Sequence, residues 1–334
     1  MGKDGFMTST NTPQPSQTIE TGDASPLAYH RLARDGAGYR WWKPLLVGVI
    51  GAGLYVGFMI AAFLAVVIVG LLSPGFERIM DGVLLGSGVP DMNDPFVLIP
   101  LLVSLALMIP ALWLATLIVG TRPVGLLSSV TGRLRWTWLL WCLGAALGIN
   151  VIAQLVAQFL PGTEEGGEFM YDGGRTLAVL AAALLVVPFQ AAAEEYVFRG
   201  YLMQTLGGWL RHPAFAILLP VPLFVLGHDY ELLGQLDIAV FAIAAGWLSW
   251  RTGGLEAAIA LHIVTNASIF AFVAFGVADA NADDVGIVDL LLSVAVTVAT
   301  VLVLARLATA RKVQRTRPSV PEADLQGRAP VTVL

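Results

Sequence analysis

Three groups of polar side chains lie in or beside apolar stretches that are long enough to cross a membrane. The first group is Glu194, Glu195 and Arg199, which follow directly on the apolar run 176–193. Each ionisable group within a membrane span costs about 2.5–3.5 kcal/mol on insertion scales. Two adjacent carboxylates and an arginine at such a place therefore indicate a functional site.

The spacing within this first group assigns different roles to the two carboxylates. On a helix, Glu195 and Arg199 have the favourable acid-before-base spacing for an ion pair. Glu194 is rotated by about 100° from its neighbour and faces another direction. A carboxylate without a counter-ion in a poorly hydrated place can act as a general base. The alternative is a surface cluster at the end of a span, with Arg199 extending into water.

The other two groups each contain a histidine. Phe224 and His228 end a short apolar stretch, a position that also suits a hydrated interfacial histidine. His262 and Asn266 lie inside the apolar span 255–277, four positions apart and so on one helix face. Two neutral donors on one face can stabilise an oxyanion, or they can join helices by hydrogen bonds. Together the three groups suit the activation of water.

The composition predicts the elements that position these groups. The chain has 334 residues, of which 57% are hydrophobic and 13% charged, whereas about 25% of a soluble protein is charged. We predict an all-α polytopic membrane protein, with about eight transmembrane helices in a bundle around an internal polar cavity. The predicted spans are Leu45–Leu72, Phe96–Gly120, Trp136–Leu160, Thr176–Ala193, Pro213–His228, Leu233–Trp250, Leu255–Val277 and Val285–Leu307.

Basic and acidic loops alternate along the whole chain. Arginine and lysine mark the loops 31–43, 122–135, 199–211, 251 and 311–317, whereas aspartate and glutamate mark 77–94, 164–172, 229–231 and 279–284. The positive-inside rule then predicts two cytoplasmic termini and an even number of spans. We expect a disordered cytoplasmic tail over 1–40, a membrane domain over 41–307 and a basic cytoplasmic tail over 308–334.

The three groups occur in the order of a known set of motifs. Glu-Glu-x-x-x-Arg at 194–199, Phe-x-x-x-His at 224–228 and His-x-x-x-Asn at 262–266 stand on separate predicted helices. In this order they resemble the CAAX protease and bacteriocin-processing family, also called CPBP or Abi. Its eukaryotic member is the Ras-converting CAAX prenyl endopeptidase. The resemblance covers about residues 176–270, which form the motif core of the predicted domain.

The resemblance implies a metal-independent, glutamate-dependent intramembrane endopeptidase without a cofactor. It assigns activation of the attacking water to Glu194 with help from His228, and the oxyanion to His262 and Asn266. Glu195 and Arg199 would support the site, and a hydrophilic cavity would open toward the cytoplasm. We expect a peptide or protein substrate, in some cases lipidated, the lipid bilayer as partner and no nucleic acid. The expected location is the plasma membrane of a prokaryote.

Two other functions fit the same residues. Glu194, His228 and His262 are acceptable zinc ligands, although the H-E-x-x-H helix of many zinc peptidases is absent from the sequence. A non-catalytic scaffold or a proton-coupled transporter also places ionisable residues inside the membrane. One geometric conflict remains, because Glu194 is predicted near the inner end of its span and His228 at the outer end of the next. Either the fifth helix starts deeper in the membrane, or the segment 201–211 is itself partly embedded and Glu194 lies well below the membrane surface.

Overall fold

Helices form nearly all of the regular structure in the part of the chain that the computed structural model describes, residues 25–35, 38–71, 91–120, 122–161 and 167–318. In chain order they are α1 Lys43–Leu71, α2 Pro95–Ala106, α3 Met108–Val119, α4 Trp136–Ala157, α5 Gly173–Leu185, α6 Val187–Glu195, α7 Met203–Trp209, α8 Pro213–Leu218, α9 Val221–Val225, α10 Leu232–Thr252, α11 Glu256–Ala274 and α12 Ile287–Ala310. A π-helix, Tyr196–Leu202, joins α6 to α7. Two short strands, β1 Leu27–Ala28 and β2 Thr316–Arg317, pair antiparallel.

The all-α membrane class is confirmed. Within the described residues, seven helical runs are long and apolar enough to cross a membrane, of which the run Gly173–Trp209 is the longest. The predicted fifth span differs, because the segment Pro213–Val225 is too short to join the seven. It consists of α8 and α9, which separate around Pro220 and Pro222. Proline removes a backbone donor and breaks the helical hydrogen-bond ladder at such a point.

The loops meet in two sets at opposite ends of the bundle. At one end the backbone N–H of Val130 donates to Gly253 (2.9 Å), and His30 bonds the carbonyl of Arg211 (3.1 Å). At the other end the backbone N–H of Gly167 donates to Val277 (3.0 Å). Loops predicted to be basic contact one another in the first set, and loops predicted to be acidic do so in the second. The pairing of β1 with β2 places both ends of the described chain in the first set.

Part of the predicted disordered tail is folded. Residues Tyr29–Arg34 form a 3-10 helix, and the side chains of Tyr29 and Leu32 are fully buried. The hydroxyl of Tyr29 donates to the carbonyl of Leu127. Burial lowers the pKa of His30, so the neutral imidazole is the form that fits this packing. Residues 1–24 of the predicted tail lie outside the described residues.

The predicted basic C-terminal tail also begins with folded residues. The strand β2 follows α12 after a short turn, and Arg317 forms an ion pair with Asp35 at 2.7 Å. Arg135 donates to the carbonyl of Gln314 (2.9 Å) from the loop between α3 and α4. Residues 319–334 lie outside the described part, as do the predicted acidic loop positions 77, 81, 164 and 165.

The helix α11 is the central element of the bundle. All seven residues from Glu256 to His262 are buried. Ala257, Ala258 and Ala260 are small enough to let the neighbouring helices approach closely. Glu256 at the first position of α11 is fully buried and pairs with Arg135 at 2.6 Å, which fixes the end of the helix. The third polar motif therefore stands on the most rigidly packed helix of the described fold.

Candidate active site

The two glutamates lie in the middle of one long helical run. Gly173–Trp209 is interrupted after Leu185, where Pro188 begins a new turn, and again at the π-helix that follows Glu195. Such π-helical segments are rare and often occur at functional sites. The run continues for 14 residues beyond Glu195, and at 1.5 Å per residue this places Glu195 about 21 Å from its end at Trp209.

This continuation resolves the predicted geometric conflict between Glu194 and His228. The predicted span ended near Ala193, which placed Glu194 at the inner surface of the membrane. In the structure the helix extends to Trp209, so that the glutamates lie deep in the bundle instead. The segment from Tyr201 to Trp209, which was one of the two possible solutions of the conflict, is helical and leads the chain to the basic end.

Glu195 and Arg199 form the ion pair that their spacing predicts. Glu195 Oε1 lies 2.8 Å from Arg199 Nη1, and both side chains are almost completely buried. Arg199 also donates to the carbonyl of Ala242 on α10 at 3.0 Å. The same Glu195 Oε1 lies 2.9 Å from His262 Nδ1. Glu195 therefore holds both the arginine and the histidine in place.

Glu194 has a different environment, although it is the adjacent residue. Its Oε1 accepts a hydrogen bond from Gln190 Nε2 at 2.6 Å. Its Oε2 is buried without a hydrogen-bond partner and lies 3.7 Å from His262 Nε2. Asn266 donates to Gln190 Oε1 at 3.1 Å. Glu194 thus presents one unoccupied carboxylate oxygen toward the second nitrogen of His262.

The hydrogen bonds determine which nitrogen of His262 carries the proton. A carboxylate accepts hydrogen bonds, so Nδ1 donates to Glu195 and the neutral ring leaves Nε2 as an acceptor. The cluster holds two carboxylates and one guanidinium, and a single further proton on His262 or Glu194 makes it neutral. Neutrality matters because an uncompensated buried charge is costly. The pair of Glu194 Oε2 and His262 Nε2 is therefore suited to holding and moving one proton.

His228 approaches this cluster through an aromatic ring instead of a direct bond. Its Nδ1 donates to the carbonyl of Phe224 at 2.8 Å, and the two ring centroids are 4.8 Å apart. The ring of Phe224 also lies 6.3 Å from that of His262 and 4.6 Å from the guanidinium carbon of Arg199. Among the hydrogen bonds of the described residues, none joins His228 to Glu194. The structure thus brings Phe224 into the site and places His228 at its partly exposed edge.

The surroundings of the site include a small cleft beside Arg199 and one slightly exposed glutamate side chain. The cleft beside Arg199 is lined mainly by apolar residues, among them Phe198, Ile217 and Phe224. The side chain of Glu194 nevertheless keeps 10% of its surface exposed, whereas that of Glu195 has none. Of the two side chains, that of Glu194 is therefore the more exposed, although its Oε2 is itself buried.

Gln190 is the member of the cluster that the sequence reading did not identify. It is 3% exposed and lies one helical turn before Glu194. An amide inside an apolar run, four positions from a candidate base, is a recognisable signal of a hydrogen-bonded partner. Among the described residues, no group of three or more His, Cys, Asp or Glu side chains is arranged to hold a metal ion.

The fold and the cluster define an integral membrane protein with a buried carboxylate–histidine site. Residues 176–268 match the family model of the type II CAAX prenyl endopeptidases, described as Rce1-like. The predicted resemblance is confirmed by this match, which contains all three motifs. It supports a membrane protease of the CAAX type.

A relative of the chain is similar over a longer stretch. The uncharacterized protein YyaK of Bacillus subtilis (strain 168) is 25% identical over 239 residues, which cover 70% of this chain and 78% of YyaK. This similarity extends beyond the segment that matches the family model. No solved structure matches the chain.

Proposed function

We propose that the chain is an intramembrane endopeptidase in which Glu194 activates water without a metal ion. The observation that carries the proposal is the unoccupied Glu194 Oε2, which faces His262 Nε2 at 3.7 Å while Arg199 neutralises Glu195. Both facing atoms can contact the same water molecule. A general base must lie within hydrogen-bond reach of the proton that it removes, directly or through water.

The reaction that this arrangement suits is hydrolysis of a peptide bond. Glu194 takes a proton from water, and the water oxygen attacks the carbonyl carbon of the substrate. The one further proton of the Glu194–His262 pair resides on His262 Nε2 before the reaction, so that Glu194 is the ionised base and the imidazolium donates to the developing oxyanion. The second N–H of the Asn266 amide is available for the same purpose. Glu194 then delivers its proton to the departing amine. His228 assists from the exposed edge of the site.

The proposed substrates are peptides or lipidated proteins that reach the site from the membrane. The long helical run, whose outer surface is apolar, places the glutamates far from either end of the bundle. A substrate must therefore bring its cleaved bond into the bundle. We propose that the protein acts in the plasma membrane of a prokaryote, with both termini in the cytoplasm.

The test uses the purified protein and a library of quenched fluorescent peptides. We expect Glu194→Gln to lose cleavage by a factor of about 1000 or more, since removal of a base or nucleophile costs at least that much in other proteases. The variant replaces one carboxylate oxygen by an NH2 group and keeps the size of the side chain, so its melting temperature should stay near that of the wild type. Full activity of Glu194→Gln would refute the proposal. Each protein is also assayed with a chelator, and chelator-sensitive cleavage would favour the zinc mechanism.

A further inference from the structure

The buried amide of Gln190 connects the two helices of the site through both of its polar atoms. Its Nε2 donates to Glu194 Oε1 at 2.6 Å, and its Oε1 accepts from Asn266 Nδ2 at 3.1 Å. The orientation of the amide follows from chemistry, since a carboxylate repels an amide oxygen and attracts an N–H. Asn266 must then present its own N–H to Gln190. The carboxylate of Glu194 thus sets the orientation of the Gln190 amide, which in turn sets the orientation of the Asn266 amide.

The same hydrogen bond differentiates the two oxygens of Glu194. With Oε1 held by Gln190, the carboxylate cannot rotate freely, and Oε2 stays directed at His262 Nε2. A bond to a charged acceptor is shorter and stronger than a neutral one, in agreement with the distance of 2.6 Å. Near-complete burial protects the amide from competition by water, since Gln190 is only 3% exposed. Gln190 therefore stabilises the ionised, correctly oriented form of the candidate base.

We propose that Gln190 is a positioning residue for the cleavage reaction. It keeps Glu194 ionised with Oε2 free for water, and it holds Asn266 in the orientation that leaves one amide N–H for the substrate. This inference rests on the proposed function, because it gives Gln190 its role through Glu194. Glu195, Arg199 and His262 are the other charged or titratable groups that face Glu194.

The decisive measurement is the profile of kcat/KM against pH, taken with a peptide that the wild type cleaves. Gln190→Met keeps the length of the side chain and removes both hydrogen bonds. We expect kcat/KM at pH 7 to fall on the order of 100-fold, as small misplacements of catalytic groups do. The acid limb of the profile should move to higher pH by about one unit or more, because the ionised carboxylate has lost a strong donor.

Two further variants separate positioning from stability. Gln190→Glu keeps an acceptor for Asn266 but places a second carboxylate against Glu194, so its acid limb should also move to higher pH. Gln204→Met removes another buried glutamine from the same helical run, whose Nε2 donates to the carbonyl of Leu126 at 2.9 Å. It should lower the melting temperature and leave the acid limb where it is in the wild type.

The outcomes distinguish this inference from the proposed function. If the acid limb of the Gln190→Met profile lies at the same pH as in the wild type, the positioning role is overturned, however large the loss of rate. If Gln190→Met does not accumulate as folded protein, Gln190→Glu decides the question by the same criterion. Equal shifts in Gln204→Met and Gln190→Met would show a general effect of destabilisation and would also overturn it. The cleavage activity of Glu194→Gln is measured in parallel, so that an error in the assignment of Glu194 as the base is detected separately from an error in the role of Gln190.

Discussion

Adjacent residues of the same type have separate tasks in this site because their helix faces differ. Glu195 is fully buried and its Oε1 bonds both Arg199 and His262, whereas Glu194 accepts from Gln190 and its side chain keeps 10% of its surface exposed. In the proposed reaction, the first carboxylate orients the histidine and the second one activates water. A protein without Glu194 would lose the proposed base, and a protein without Glu195 would lose the carboxylate that orients His262.

Removal of Arg199 alone should destabilise the protein more than removal of the whole ion pair. Arg199→Met leaves Glu195 buried without a counter-charge, which costs about 3–5 kcal/mol for comparable buried pairs. The double variant Glu195→Gln with Arg199→Met removes both charges and keeps an acceptor for His262. Thermal unfolding in detergent should therefore show a lower midpoint for the single variant than for the double variant. The reverse order would mean that Arg199 acts through contacts other than Glu195, such as the ring of Phe224.

Sequence spacing predicted which residues meet in the site better than it predicted the individual contacts between them. The four-residue interval correctly paired Glu195 with Arg199 and placed His262 and Asn266 on one face. It could not show that His262 would bridge both glutamates, because that contact joins helices whose relative rotation depends on packing. Gln190 was missed although its spacing of four from Glu194 is a local signal, whereas its contact with Asn266, 76 positions away in the chain, could not be predicted from spacing.

At the scale of elements, the boundaries of helices differ most from those expected. The predicted fourth span ended near Ala193, where the charges begin, but the ion pair lets the helix continue to Trp209. The predicted fifth span became two short helices because of Pro220 and Pro222. The segment 25–35 was expected to be disordered from its polar composition, yet it packs on α7. Composition alone does not reveal docking that depends on a complementary surface.

That docking requires a glycine at a particular place on α7. A side chain at Gly207 would collide with the carbonyl of His30, whereas one at Gly144 on α4 would meet nothing within 4 Å. Gly207→Ala should therefore release the segment 27–34. Overpacking of this kind costs about 1–3 kcal/mol, so trypsin should cut after Arg31 or Arg34 roughly fivefold faster or more.

The matched control for this prediction is Gly144→Ala, which adds the same methyl group to an open helix surface. Its rate of cleavage in the N-terminal segment should equal that of the wild type. If both alanine variants are cleaved at the wild-type rate, the segment tolerates the added methyl group and does not depend on Gly207. Mass spectrometry of the early fragments identifies the cleavage sites directly.

At the scale of the whole molecule, the two sets of loops define two ends of the bundle. Basic loops and both ends of the described chain meet at one end, and acidic loops meet at the other. The alternation of charge in the sequence predicted this division. Arg211 after α7 belongs to the first set of loops and Glu231 before α10 to the second, so the short segment Pro213–Val225 leads from one end of the bundle to the other.

Labelling of single cysteines tests this arrangement in intact cells. The native Cys142 is buried, and Cys142→Ser provides a background without it. Ser25 and Ala282 are exposed at opposite ends of the bundle. With cytoplasmic termini, a membrane-impermeant maleimide should label Ala282→Cys in intact cells and Ser25→Cys only after lysis. Labelling of both from the outside would contradict an even number of crossings.

The pairing of β1 with β2 also has a consequence for biosynthesis. Leu27 pairs with Arg317, so β1 gains its strand partner only when residues 316 and 317 have left the ribosome. Until then β1 has no strand partner, although the preceding helices are already inserted. A chain truncated before residue 316 would insert its spans but could not close this contact. The junction between β1 and β2 can therefore form only in a polypeptide that has been translated at least as far as Arg317.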